Sequence, residues 1–127
     1  MLSGLNIRIA YAEESPRFGN RIDCGVIREN AIDEASGIAA SQRNPGILWT
    51  HNDSGGENRI YAVGTDGSVQ GDFQIIGAAN RDWEDIAVGP GPRDGVSYVY
   101  IGETGDNNAR FPFKYIYRFP EPQIPAD

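Results

Sequence analysis

Carboxylate and amide side chains collect where apolar runs break into polar turns: Glu34, Asn52, Asp53, Asn80, Asp82, Glu84, Asp85, Glu103, Asp106, Asn107 and Asn108. Oxygen donors of this kind suit a hard cation such as Ca²⁺, which takes roughly six to eight of them. Glu34, Asp53, Glu84, Asp85, Glu103 and Asp106 are the leading metal candidates. No Asp-x-[Asp/Asn]-x-[Asp/Asn]-Gly run is present, so ligands must converge from several loops. The plainer reading of each Asp or Asn is a side chain bonded to its own backbone in a turn.

His51 is the only histidine and Cys24 the only cysteine, which leaves no zinc set. Next to Asp53, His51 is the candidate general base, because imidazole titrates near neutrality. The alternative is a structural histidine at a strand end. Asn52-Asp53-Ser54-Gly55-Gly56 invites comparison with the nucleophile motif of trypsin-like proteases. A triad needs Ser, His and Asp on separate elements, and here the histidine abuts the serine, so Ser54 reads as a turn residue. Trp49, Asn52, Trp83 and Arg110 are the candidates for ligand contact. The indoles offer a stacking surface, although strand-face packing is their commoner role. Arg110 follows an Asp-Asn-Asn turn and is expected to pair with a carboxylate there.

The elements that must position these residues are short strands. Ile47–Thr50 runs into the His51–Asn58 loop and Arg59–Val63 follows. The same grammar returns in Val96–Ile101, an acid-rich loop, and Lys114–Phe119. Thr65-Asp66-Gly67-Ser68 carries a hairpin signal. Further strands are expected at Ile22–Arg28, Ile38–Ser41, Val69–Ile76 and Trp83–Val88. Leu5–Ile9 is at most one more, in a lead-in over residues 1–21. The tail from Glu121 to Pro125 is Pro-punctuated and reads as extended. Ile38 and Ile86 are 48 apart, and Leu48 and Val99 are 51 apart. A period near 50 with about four strands per period is the pattern of a propeller blade. The expectation is all-β: about two four-stranded antiparallel blades, over residues 34–77 and 82–122, within one partial propeller domain spanning 22–127. Closed propellers use roughly four to eight blades, so completion by self-association, as a dimer or trimer, is expected.

With 127 residues the chain is long enough for a modest core. Hydrophobic residues at 39% and charged residues at 23% exclude a disordered composition. A net charge of −7 argues against nucleic acid and anionic membranes and is compatible with a cation. Cys24, in the alternation Ile22-Asp23-Cys24-Gly25-Val26, is expected to be a packed thiol. Ala10-Tyr11-Ala12 has the form of a signal cleavage site without an apolar stretch before it, so the chain as written reads as cytoplasmic.

Taken together, Glu34-Ala35-Ser36-Gly37, Trp49-Thr50-His51-Asn52-Asp53-Ser54-Gly55, Asp82-Trp83-Glu84-Asp85-Ile86-Ala87 and Tyr100-Ile101-Gly102-Glu103-Thr104-Gly105-Asp106-Asn107 resemble a known pattern. So do Arg110 and the run from Tyr117 to Pro122. The pattern is that of the N-terminal half of uncharacterised bacterial β-propeller proteins, mostly exported. Glu103 stands where that family has Asp. The resemblance implies a propeller fold and covers about Ile22 to Pro122, with the C-terminal half missing. More distantly, Glu34 is similar by position to the axial Glu of six-bladed lactonases, which hold a divalent cation. Two functions follow as expectations. One is a non-catalytic, self-associating module that binds Ca²⁺. The other is a metal-dependent lactonase or esterase.

Overall fold

The computed structural model describes residues 18–125. The Leu5–Ile9 strand and the Ala10-Tyr11-Ala12 motif lie outside them. Seven strands follow one another: β1 (Ala35–Ala40), β2 (Ile47–Asn52), β3 (Arg59–Gly64), β4 (Val69–Gln74), β5 (Trp83–Pro90), β6 (Ser97–Glu103) and β7 (Tyr115–Pro120). They form two antiparallel meanders, β1-β2-β3-β4 and β5-β6-β7, with no helix among the described residues. No helix there is long and apolar enough to cross a membrane.

The turns make the meanders. Asn44-Pro45-Gly46 reverses the chain with Gly46 at φ 79°, where a side chain would be strained. At the next reversal Gly67 takes φ 87°. There Asp66 Oδ1 accepts from the Ser68 amide at 3.0 Å and from its hydroxyl at 2.6 Å. These tight turns, with the one at 91–96, lie at one end of the sheets. The longer connections at 53–58, 75–82 and 104–114 lie at the other, together with the turn before β1. The candidate metal-ligating acids therefore share one end of the molecule.

Strand alternation and register give each sheet two faces. Ala39, Trp49, Ala62 and Gly71 are paired across the first sheet and share one face, with Ile47, Ile60 and Phe73. Ile86, Ile101 and Tyr117 are paired across the second and share a face with Val88, Val99 and Phe119. These two faces pack together into one core built on Trp49, Ile60, Ala62, Trp83, Ile86, Val99 and Ile101. The edge strands β1 and β5 run side by side. A Cβ on Gly37 would fall 2.9 Å from the Ile86 nitrogen, so the close approach requires glycine there. Both tryptophans are fully buried, Trp49 edge-on to Phe73 at 5.7 Å and Trp83 tilted on Tyr117 at 6.1 Å. Truncating either to alanine is expected to cost about 3–5 kcal/mol.

Beyond β7 the chain crosses to the first sheet. Asn44 Nδ2 donates to the Pro122 carbonyl at 2.9 Å, and the Ile124 amide donates to Asn44 Oδ1 at 2.9 Å. Just before them Glu121 is buried, accepting from Trp49 Nε1 at 2.8 Å and from the Ser41 and Ser97 hydroxyls.

Four expectations are corrected. The second sheet has three strands and not the expected four. Ile22–Arg28 is not a strand. It alternates correctly, but a strand also needs a sheet edge to pair with, and this segment makes no backbone hydrogen bond to any described strand. Cys24, carried on that segment, is an exposed free thiol and not a packed one. The strand expected to reach Ile76 ends at Gln74, where Asn58 Nδ2 takes the Ile75 carbonyl at 2.7 Å.

Candidate carboxylate site at the loop end

Asp53, Asp82 and Glu84 each offer an oxygen to a common point, these atoms lying within 4.8 Å of one another. Asp53 comes from the loop after β2. Asp82 and Glu84 flank Trp83 at the start of β5. Asp82 stands in the bend that leads into β5, and Glu84 at the register shift between Trp83 and Asp85. Asn80 braces Asp53, donating from Nδ2 to its carbonyl at 2.7 Å and the Asn52 carbonyl at 3.2 Å. The Gly105 amide donates to the Asp82 carbonyl at 3.1 Å. A Cβ on Gly105 would fall 2.3 Å from Asp82 Cγ and 2.4 Å from Glu84 Oε1, so the loop after β6 closes over the carboxylates only as glycine.

The electrostatics are strained. Asp82 is 92% buried (8% exposed) and its pKa is raised. Burial is the largest cause, the Asp53 carboxylate beside it adds to the rise, Glu103 adds more, and Lys114 opposes. Asp53 Oδ1 is buried without a hydrogen-bond partner. Two acids side by side, one short of a donor, want a proton or a cation between them.

The remaining candidates have other duties. Glu103 is 1% exposed and caps the turn before β5, accepting from the Asp82 amide at 2.8 Å, the Arg81 amide at 3.1 Å and Arg81 Nε at 3.2 Å. Asp106 takes the Arg110 and Phe111 amides at 2.7 and 2.8 Å and pairs with Lys114, the only lysine, at 3.0 Å. The Arg110 carboxylate pairing is thus corrected: Arg110 ties the loop through its backbone, and the side chain that pairs is Lys114. The Glu34 carbonyl takes the Asp53 amide at 2.9 Å, but its carboxylate is exposed and outside the cluster. Asp85 Oδ1 accepts from the Ile86 amide at 2.8 Å, also outside it. Asn52 ties down the preceding turn through Ala31 O at 2.8 Å and Asp33 Oδ1 at 3.0 Å. Trp49 and Trp83 show no ring face to solvent, and Trp83 Nε1 donates to the Ala79 carbonyl at 2.9 Å.

His51 is fully buried with its ring edge-on to Trp83 at 5.6 Å. Its Nδ1 lies 2.8 Å from the Asn52 carbonyl. A carbonyl only accepts, so Nδ1 donates to it, and the buried Nε2 has no hydrogen-bond partner. The ring faces the core, so the general-base expectation lacks access to a substrate. A cavity of about 590 Å³ opens at the opposite, tight-turn end between Arg43 and Arg93. It is remote from the carboxylates and brings no acids together.

Asp106 yields a prediction. Burial would raise its pKa, but the two amides and Lys114 outweigh that and hold it down to about 2, against an ordinary 3.8. A depressed acid contributes stability above its unfolded value and loses it as pH falls through the folded one. In Lys114→Met the Asp106 midpoint is expected to rise toward 3.8 without reaching it, since the amides remain. Carbon-detected NMR titration reads this; an unmoved midpoint would show that Lys114 has no part.

Fold and cluster together define an all-β protein of two packed antiparallel sheets with converging carboxylates at the loop end. No family model matches the chain, and no curated protein or solved structure matches it.

Proposed function

We propose that the chain is a non-catalytic module of β-propeller-type blades that self-associates and holds a divalent cation, Ca²⁺, at Asp53, Asp82 and Glu84. The observation that carries the cation is the convergence of three carboxylates within 4.8 Å, one of them with a buried oxygen that nothing in the protein satisfies. Three carboxylates are fewer ligands than Ca²⁺ takes, and water completes such a shell. The blade reading is supported by the repeated meander and by matching register in the two sheets. The burial of His51 takes the histidine out of reach as a general base, which favours the non-catalytic reading.

Thermal melting of protein dialysed against EDTA, with and without Ca²⁺, tests the site. A ligand at about 100 times its Kd contributes about 2.7 kcal/mol, or a rise in Tm on the order of 5–10 °C. The raised Asp82 pKa sets the pH dependence. An acid with a raised folded pKa contributes stability below its unfolded value, and that contribution is lost as pH rises through the folded value. The cation therefore acts at pH 7, where repulsion is unrelieved, and its effect fades as pH falls through the raised folded value, above the ordinary 3.8, because protons replace it. Identical melts at pH 7 with EDTA and with Ca²⁺ would end the cation reading.

A further inference from the structure

The two sheets are joined by one junction, and each also carries half of a second. Register makes the halves recognisable. Ile38 pairs with Thr50 and Thr50 with Tyr61; Ile86 pairs with Ile101 and Ile101 with Tyr117. Ile38 is thus the counterpart of Ile86, Tyr61 of Tyr117, and, one residue back along each strand, Ile60 of Ile116. Within the chain, the Ile60 face of the first sheet packs on the Ile86 face of the second, and both isoleucines are buried, at 0% and 4% exposure. Their counterparts are bare: Ile116 is 71% exposed and Ile38 is 60% exposed. The faces that meet are opposite ones by this equivalence, so the packing runs head to tail. An unfilled head and an unfilled tail remain.

We infer that a second copy of this chain fills them, its Ile38 face docking on the Ile116 face of the first. Each protomer then offers one socket and one plug, and such a heterologous interface closes into a ring when its rotation permits. The socket is the face of the second sheet that carries Ala87, Tyr100, Gly102 and Ile116, a shallow apolar hollow floored by these residues. Apolar sheet faces of this kind promote association when left bare. The plug is centred on Ile38 of the edge strand β1. Residues 22–27 line one hollow with Ile38, Leu48 and Val63 without strand pairing, and Ile38 itself stays mostly exposed. One difference from the internal junction is visible. Asp85 stands where Gly37 stands in the first sheet, so the edge strands stay further apart and Tyr100 and Ile116 make the contact.

This inference rests on the self-association proposed above, and one set of variants separates the two. Ile38→Lys and Ile116→Lys change solvent-facing side chains, and far-UV circular dichroism checks that each folds. Ile116→Thr, which keeps the β-branch, replaces the lysine variant if that one unfolds. By light scattering the wild type is expected as an oligomer and each variant as a monomer. A 1:1 mixture of the variants retains one intact socket and one intact plug, and is expected to give a species of twice the protomer mass and nothing larger. A wild-type monomer at every concentration would remove self-association altogether, and this inference with it. An oligomeric wild type whose mass survives Ile38→Lys would leave self-association standing and overturn the head-to-tail junction. A mixture that stays monomeric would overturn it too.

Discussion

Glu121→Ala is expected to destabilise the protein by about 3 kcal/mol, because it strips partners from buried groups on both sheets. The Glu121 carboxylate is 2% exposed and accepts from Trp49 Nε1, Ser41 Oγ and Ser97 Oγ. Trp49 belongs to β2, Ser97 to β6, and Ser41 to the turn after β1, so one side chain ties three elements together. Removing it leaves the fully buried Trp49 N–H with no acceptor, which costs more than the bond itself contributed. The Asn44 amide donates to Ser41 Oγ at 2.7 Å and cannot take that hydroxyl's hydrogen, so Ser41 loses its acceptor as well. Glu121→Gln keeps the shape and an acceptor, and is expected to lose about 1–2 kcal/mol. Urea titration of both variants, with Trp49→Phe to complete a double-mutant cycle, measures the coupling. A Glu121→Ala protein within about 0.5 kcal/mol of wild type would show the tie to be idle. The pH behaviour follows from the same contacts. Burial pushes the Glu121 pKa up, but the Ser41, Ser97 and Trp49 bonds outweigh it and the net shift is downward from 4.5. Its contribution is therefore present above 4.5 and is lost as pH falls through the lowered folded value.

Gly105→Ala is the second large effect, expected to cost about 1–3 kcal/mol and to abolish the response to Ca²⁺. The added methyl falls inside the van der Waals limit of both Asp82 and Glu84. Glu84 is exposed and swings away easily; Asp82 is buried and must shift with its backbone. Gly56→Ala serves as the control. It lies on another loop at the same end, and its Cβ would come no closer than 3.7 Å to any neighbour. Melting both variants with EDTA and with Ca²⁺ separates the roles. If Gly105→Ala keeps a wild-type Ca²⁺ shift, the cation is held somewhere other than at Asp82.

Strands were legible because their signals are local. Alternation, Asp-Gly and Pro-Gly turns, and apolar runs such as Ile47–Trp49 and Val99–Ile101 need no distant partner to be read. Ile22–Arg28 carries the same alternation and still fails, because pairing depends on a free edge that lies elsewhere in the chain. The site was half legible. That the acids lie at strand ends is written in the residue order, but which of them converge depends on how two sheets dock. Asp53 and Glu84 come together, while Glu34, Asp85, Glu103 and Asp106 do not join them. Asp82 was among the candidate acids without standing out. Its closeness in sequence to Glu84 was the available signal, and its burial was not.

What the chain determined by itself is an all-β polymer with acid-rich turns on alternate connections, since backbone preference and side-chain alternation act over a few residues. The tertiary structure decided which carboxylates are neighbours, that His51 and both tryptophans face the core, and that Glu121 binds the two sheets. Those outcomes turn on packing and desolvation between residues up to 80 positions apart, such as Ser41 and Glu121. No short-range pattern encodes the free energy of bringing them together.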